Sequence, residues 1–539
     1  MENAILKPHF IDYLIICIYF VFVIIVGYAL KSKMKTGEDF FLSGRSIPGW
    51  ITAVAFVSAN LGALEIIGMV ASGYQYGVMT IHYYWTAAIP AMIFLGLYMM
   101  PFYYGSRARS VPEYLKLRYN EATRGFNAIS FAVMTILMSG VNLYAMGIVL
   151  KVLLGWSMNT SIVVAALIVL VYVGLGGLTS SIYNEVIQFF LIWIGLLPVA
   201  ILALSDIGGW NELLDRIPNN LHHLWAQTGS STANAMNVEW LGIVLGLGFV
   251  LGFGYWTTDF LVIQRALAAK DMAAAQNTSI IGSFFKIFAP IITIIPGIAA
   301  IILLPKLGPG SINGSYDMAL PMLIAKYYPT GLLGLGITAL LASFMSGMAG
   351  NVTAFTTVWT YDIYQAYFKK NGSDSHYLNM GRISTAVGVF ISIGAAYIVM
   401  GFPSMMDYIQ TLFGFFNAPI FAIFLLGMFW KRATGWGGFV GVVSGTLTAL
   451  ILYYTLPYDY FGSSAAGNFW RAWWAFFVAF VLEIIVSLMT KPKQSDELNG
   501  LVYGVTKKVN HSLLPWYRRP VLLATLSIAL FVVMNILLF

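Results

Sequence analysis

The sequence predicts an all-α membrane protein that crosses the bilayer about fourteen times. Three observations predict this. Of 539 residues, 59% are hydrophobic and 9% are charged, whereas a soluble chain carries about a quarter charged residues. Apolar runs of about 20 residues, the length that spans the hydrocarbon core as a helix, recur from one end to the other. The basic residues, finally, concentrate on alternate loops.

The runs fall near 11–30, 48–76, 80–104, 125–155, 160–177, 183–205, 239–266, 275–304, 330–365, 379–401, 404–430, 434–456, 468–490 and 519–539. The first ends in Lys31, Lys33 and Lys35 and lacks a small-residue cleavage site, so it reads as a first span and not a signal peptide. If that flank is cytoplasmic, every second loop should be basic. Of the 29 Lys and Arg, 22 then fall inside, on the segments Lys31–Arg45, Arg107–Arg124, Arg265–Lys270, Lys369–Arg382, Lys431–Arg432 and Lys491–Arg519. Six fall outside and one, Lys286, lies in mid-span. This places both termini outside a multi-pass plasma-membrane protein. The net charge of +7 is explained by that distribution and does not point to nucleic acid.

No soluble domain is expected. The outward loop 205–239 contains a short amphipathic stretch, N-E-L-L-D-R-I-P-N-N-L-H-H, suited to lying on the membrane face. The inward segment Lys491–Arg519 reads as a polar linker, and the sequons at Asn313 and Asn351 read as chance. The single cysteine, Cys17, excludes an intramolecular disulfide and argues against a cysteine-ligated metal.

The chain is organised around Val57–Met69, V-S-A-N-L-G-A-L-E-I-I-G-M, inside the second run. Asn60, Gly62, Glu65 and Gly68 fall within nine residues, so a helical turn can unwind there and free backbone carbonyls. In hydrocarbon such carbonyls are tolerated only where they line a cavity. A broken helix with a carboxylate beside it suits a cation or small polar solute. Small residues packing two helices, with Glu65 neutral and hydrogen-bonded, remain the alternative.

Four further features break the apolar rule. Lys286 stands alone in I-I-G-S-F-F-K-I-F-A-P, and a mid-span lysine should face a cavity or a carboxylate. The stretch Gly252–Phe260, G-F-G-Y-W-T-T-D-F, sets Tyr255, Trp256 and Asp259 in a second glycine-broken span, where flat amphipathic rings suit either sugar stacking or an interfacial belt. Ser343, Ser346 and Gly347 share one helical face in S-F-M-S-G-M-A-G-N. Hydroxyls there, opposite the free carbonyls of the first break, would form the oxygen shell of a hard cation; close packing through small residues is the alternative. Glu185, in N-E-V-I-Q, either assists cation release at the inner end or pairs with an inward arginine. No serine has a credible histidine partner, and no H-E-x-x-H, P-loop or dinucleotide pattern occurs, which disfavours an enzyme.

These pieces resemble the sodium:solute symporter family, nearest its sodium/glucose cotransporter branch. The matching stretches run through most of the chain: D-F-F-L-S-G-R-S-I-P-G-W, S-A-N-L-G, S-V-P-E-Y-L-K-L-R-Y, G-G-L-T-S-S-I-Y-N-E-V-I-Q, Y-W-T-T-D-F-L-V-I-Q-R, D-I-Y and F-L-L-G-M-F-W-K-R. The resemblance implies a LeuT-like five-plus-five inverted-repeat core over 48–430, with one extra helix in 1–47 and three in 431–539. The two broken spans fall first in each half, as that architecture requires.

The resemblance also implies sodium as coupling ion, held by the carbonyls of Ser58 and Leu61, the carbonyl of Ser343 and the hydroxyl of Ser346. Glu185 is counted with this set. A second serine is usual where this chain has Gly347, so one ligand is missing unless the Ser343 side chain or a water replaces it. For the solute, Asn60, Lys286 and Gln410 match positions that contact sugar hydroxyls, with Tyr255 at the inner gate, Trp256 beside it, and Met69 closing the stretch. Glu65 replaces a usual Gln or His, and Tyr84 replaces a glutamate. The implied activity is import of a small polar solute, most plausibly a sugar such as glucose or galactose. A polyol, amino-sugar or carboxylate solute, proton coupling through Glu65, and a nutrient sensor are the alternatives. No obligate protein partner is implied beyond solute, ion and bilayer.

Overall fold

The computed structural model describes residues 8–31, 41–308, 315–402, 404–506 and 509–538. Lys33, Lys35, Asp39, the sequon at Asn313, and Lys507 and Lys508 lie outside the described residues. Among the described residues the regular structure is helical, with one isolated bridge between Ile47 and Ala269.

Among the described residues eleven helices are long and apolar enough to cross a membrane, or twelve if the bent pair Gly242–Thr258 and Phe260–Leu267 is one span. By this criterion the expected fourteen are not confirmed. The shortfall has a physical origin at two places. Gly49–Asn60 is too short to span alone, because the run 48–76 is cut after Asn60. The run 160–177 is represented by Met158–Leu170, also too short to span alone, and Gly177, at φ +55°, kinks the chain away from it at the start of the next span, Gly177–Ile207.

Burial separates core from periphery. In Leu332–Phe368, 89% of the most apolar window is buried in protein, against 17% in Pro520–Leu537 and 22% in Phe10–Ala29. The serine helix Leu332–Thr357 is thus central, and the first and last helices face outward. Their exposed residues are apolar, Phe10 and Ile18 on one and Val521 and Ile536 on the other, as contact with lipid tails requires.

Both anticipated breaks form. Gly49–Asn60 ends at Leu61, whose ψ of 46° leaves the helical region, and Ala63–Tyr76 restarts after Gly62 at ψ 168°. The second break is at Asp259, ψ 119°, with a bend of 47°. There the Asp259 carboxylate caps the restarted helix, accepting from Leu261 N at 2.9 Å. A π-helical stretch, Gly242–Gly252, leads into this break.

The two halves of the first broken span pack on different partners. Gly49–Asn60 lies on Met272–Phe288, and Ala63–Tyr76 lies on Pro290–Leu303. The second contact is close because Gly73 and Gly297 face it: a Cβ on Gly297 would stand 2.1 Å from Val70 O. Small residues let helix backbones approach this way where no hydrophobic force drives association.

Several inward basic residues turn out to be interior. Arg118 is fully buried and donates to three carbonyls, Gly427 O (2.5 Å), Ala433 O (3.0 Å) and Trp430 O (3.0 Å). It closes the C-terminal end of Met405–Phe429, where four carbonyls lack helical partners. Arg124 pairs with Asp362 at 2.9 Å. Two of the sequence stretches noted above thereby meet through one side chain, Arg118.

Candidate functional site

At the first break the Gly62 N–H donates to Asn60 O at 2.7 Å. An unbroken helix would direct it to Ser58 O, which is left without that donor. Ser343 Oγ donates to Leu61 O at 2.8 Å, and Ser58 Oγ lies 3.0 Å from Ser346 Oγ. Ser58, Leu61, Ser343 and Ser346 are thus together, all buried, and the atoms facing one another are oxygens. An all-oxygen cluster of this kind is the donor set that hard cations take. Among the described residues there is no group of three or more His, Cys, Asp or Glu that could hold a metal.

On the other side of the break lies a cavity of about 710 Å³, including its mouth, lined by Asn60, Glu65, Met69, Tyr84, Tyr255, Trp256 and Gln410 among others. Lys286 reaches its wall from Met272–Phe288. The ammonium donates to Asn60 Oδ1 and forms an ion pair with Glu65 Oε1. It also stands 4.8 Å from the centre of the Tyr84 ring and 5.3 Å from that of Trp256. A lysine fully out of water needs such compensation, an anion and two ring faces, to remain charged.

Asn60 links the two breaks. Its Nδ2 donates to the Tyr255 hydroxyl at 2.8 Å. Tyr255 in turn stacks on Phe413, with ring centres 4.8 Å apart, and Trp256 stacks on Phe56 at 5.6 Å. On three residues that line the cavity, Gln410 Oε1, Glu65 Oε2 and the Tyr84 hydroxyl beside the latter are buried without a well-formed hydrogen bond.

Every residue expected to face solute comes to this cavity or its wall. Glu185 does not. It is fully buried in an ion pair with Arg265 (2.5 Å) and accepts from Ser181 Oγ at 2.7 Å. Of the two alternatives for Glu185, the geometry is that of pairing with an inward arginine.

Sequence reasoning did not single out Phe413, Met406 or Asn142. The first two are apolar residues in an apolar span and carry no signal. Asn142 did carry one: it is an amide deep in Glu121–Leu154, fifteen residues past the other amide of that helix, Asn127, and subject to the same rule that picked out Lys286. Asn351 was dismissed as part of a chance sequon, yet it lines the cavity and donates to Gly347 O at 3.0 Å.

Comparison with known proteins identifies the family and the fold. The model of the sodium:solute symporter family matches residues 40–445. The chain is 32% identical over 468 residues to a sodium/glucose cotransporter of Vibrio parahaemolyticus, covering 82% of this chain and 85% of that one. It is 28% identical over 556 residues to the human sodium/myo-inositol cotransporter, covering 92% and 76%. Among solved structures, a substrate-bound, outward-open Na+-coupled sialic acid symporter superposes with a TM-score of 0.75 at 22% identity, over 90% of this chain and 99% of that one. MHP1, a nucleobase-cation-symport-1 family transporter, superposes with a TM-score of 0.54 at 11% identity, over 85% and 96%. The fold is therefore the inverted-repeat fold of these cation-coupled transporters. With the family match covering about three-quarters of its length, this multi-pass membrane chain belongs to the sodium:solute symporter family, transporters whose coupling ion is sodium.

Proposed function

We propose that this chain imports a neutral polyhydroxylated solute, a sugar or cyclic polyol, together with sodium across the plasma membrane, with both termini outside. The observation that carries the choice of solute is the state of Lys286. Its charge is already matched by Glu65 inside the cavity, and the polar atoms left over on the lining residues are two acceptors, Gln410 Oε1 and Glu65 Oε2, and one hydroxyl, that of Tyr84, which can donate or accept. Solute hydroxyls donate to such oxygens, and burying an acceptor without a donor costs about 1–3 kcal/mol. A carboxylate solute would meet two acceptors, one hydroxyl and a lysine that is already paired. The names of the curated relatives, sodium/glucose and sodium/myo-inositol cotransporters, run in the same direction.

In this reading Asn60, Glu65, Tyr84, Lys286 and Gln410 bind the solute and Met69 bounds it. Tyr255, flanked by Trp256, closes the inner side. Sodium is carried between the carbonyls of Ser58 and Leu61 and the helix bearing Ser343 and Ser346. An ion seated there would tie the broken span to the serine helix and hold Asn60 and Glu65 toward the solute. Entry of one charge down an inside-negative potential supplies about 2.3 kcal/mol per 100 mV.

Purified protein in proteoliposomes tests this with a radiolabelled panel: glucose, galactose, myo-inositol, sialic acid and a short monocarboxylate. The expected result is uptake of a neutral polyol, driven by an inward sodium gradient and increased by an inside-negative potential. Uptake confined to the acidic solutes, or driven equally well by a proton gradient without sodium, would overturn the proposal.

A further inference from the structure

The family resemblance leaves a gap: where a second serine is usual, this chain has Gly347. The space beside Gly347 is not empty. A Cβ built on Gly347 would stand 2.9 Å from Asn142 Oδ1 and 2.8 Å from Gly62 Cα, and a Cβ on Gly62 would stand 3.0 Å from the same Asn142 oxygen. Asn142, from Glu121–Leu154, therefore inserts its amide oxygen between the first helix break and the serine helix, where a side chain at position 347 would begin. The amide is oriented by its other end, since Nδ2 donates to Met138 O one turn back at 3.3 Å. Asn142 is fully buried, and its Oδ1 has no hydrogen-bond partner.

A buried carbonyl oxygen without a donor is costly in a membrane interior. The groups it faces are two glycines, which offer no N–H or O–H from a side chain. The neighbours of those glycines are Leu61, whose carbonyl is beside Ser343, and Ser346, whose hydroxyl is beside Ser58. An amide oxygen is a good ligand for a hard cation, equivalent to a backbone carbonyl. We propose that Asn142 Oδ1 supplies the sodium ligand that Gly347 lacks, and that the glycine is there to admit it. This rests on the sodium reading of the Ser58–Ser346 cluster and adds one residue to it. Asparagine and glycine are then one unit: the amide needs the missing Cβ, and the missing hydroxyl needs the amide.

The test is sodium binding to purified protein, read in two ways: radiolabelled sodium at equilibrium, and the rise in thermal unfolding temperature when choline is replaced by sodium. Asn142→Ala should raise the half-saturating sodium concentration at least tenfold while the unfolding temperature in choline changes little. Gly347→Ser alone should also weaken sodium binding, because its side chain meets Asn142 and Gly62. The double variant Asn142→Ala/Gly347→Ser should bind sodium at least threefold more tightly than either single variant, with recovery short of wild type because the new Cβ still meets Gly62 Cα. Asn142→Asp, which keeps shape and oxygen and adds charge, should bind sodium at least as tightly as wild type and covers the case in which the alanine variant does not fold. Half-saturation within twofold of wild type in Asn142→Ala, with no recovery specific to the double variant, would overturn the assignment, as would loss of sodium binding in Asn142→Asp. Wild type that is itself indifferent to sodium would overturn the sodium reading together with this one. Wild type that responds while Asn142→Ala responds equally overturns this assignment alone.

Discussion

Asn60 donates to the Tyr255 hydroxyl at 2.8 Å, so one side-chain hydrogen bond joins the two broken spans. The same Asn60 accepts from Lys286 through its other atom. The Glu65–Lys286–Asn60–Tyr255 chain therefore runs from the first break to the aromatic wall of the second. In the proposed reading, a solute bound to Asn60 would compete with or order this link and so carry its occupancy to Tyr255.

Removing the link isolates its effect. Tyr255→Phe keeps the ring stacked on Phe413 and deletes only the hydroxyl. A neutral hydrogen bond contributes about 0.5–1.5 kcal/mol, so solute affinity should fall roughly two- to tenfold, with the half-saturating sodium concentration changed by less than twofold. Equilibrium solute binding and sodium titration on the same sample check this. A sodium affinity that falls as far as solute affinity would place Tyr255 on the ion side.

The ion pair between Glu65 and Lys286 makes a sharper prediction. Breaking a buried pair from one side leaves an uncompensated charge and costs about 3–5 kcal/mol. Glu65→Gln should therefore weaken solute binding at least 100-fold and lower the unfolding temperature, and Lys286→Met should do the same. The double variant Glu65→Gln/Lys286→Met removes both charges, so it should regain stability but not solute binding. Thermal unfolding and labelled-solute binding of the three variants separate the two effects. If Glu65→Gln binds solute like wild type, Glu65 is neutral in the working protein and the pair is not part of recognition.

Lys286, Glu65 and the two breaks were legible from sequence because polar groups in hydrocarbon are expensive, so each one advertises a cavity or a partner. Their partners were less legible. Lys286 and Glu65 are separated by 221 residues and Arg118 and Gly427 by 309, and no local pattern reports which distant helix lies alongside. For the same reason Arg118, Arg124 and Arg265 were counted as inward loop charges, although all three are buried in pairs or carbonyl clamps. The count of fourteen spans is not confirmed for a different reason: hydropathy locates apolar length but not the residue at which a helix stops. Asn60 and Gly177 are where that mattered. Asn142 was visible as a mid-span amide, but its relation to Gly347 exists only once three helices are packed.

Glu185 yields a prediction that separates its two possible roles. Its carboxylate is paired with Arg265 and bonded by Ser181, with both ions out of water. Glu185→Gln should lower stability by about 3–5 kcal/mol through the orphaned arginine. The half-saturating sodium concentration should stay within about twofold of wild type. Thermal unfolding with and without sodium measures both. A tenfold sodium effect with unfolding in choline unchanged would instead assign Glu185 to the ion's exit path.

Asp317 gives the pH prediction. It lies in the short turn Tyr316–Met318 between membrane spans and is buried. Burial pushes its carboxyl up from 3.8 to about 7, against the Met405 N–H that it accepts and helped by the negative charge of Asp407. Between these two values the folded state holds a proton that the unfolded state has released. Stability must then fall as pH rises through that window, with the loss complete above about pH 7. At about 1.4 kcal/mol per pH unit, the loss approaches roughly 4 kcal/mol by pH 8. Asp317→Asn is neutral at every pH and its amide oxygen can still accept from Met405. It should therefore unfold at a higher temperature than wild type at pH 8, with a gap that narrows steadily toward pH 5. Thermal unfolding of both proteins at pH 5, 6.5 and 8 checks the sign. Parallel curves would mean that Asp317 keeps its ordinary affinity for the proton and that the turn is hydrated in solution.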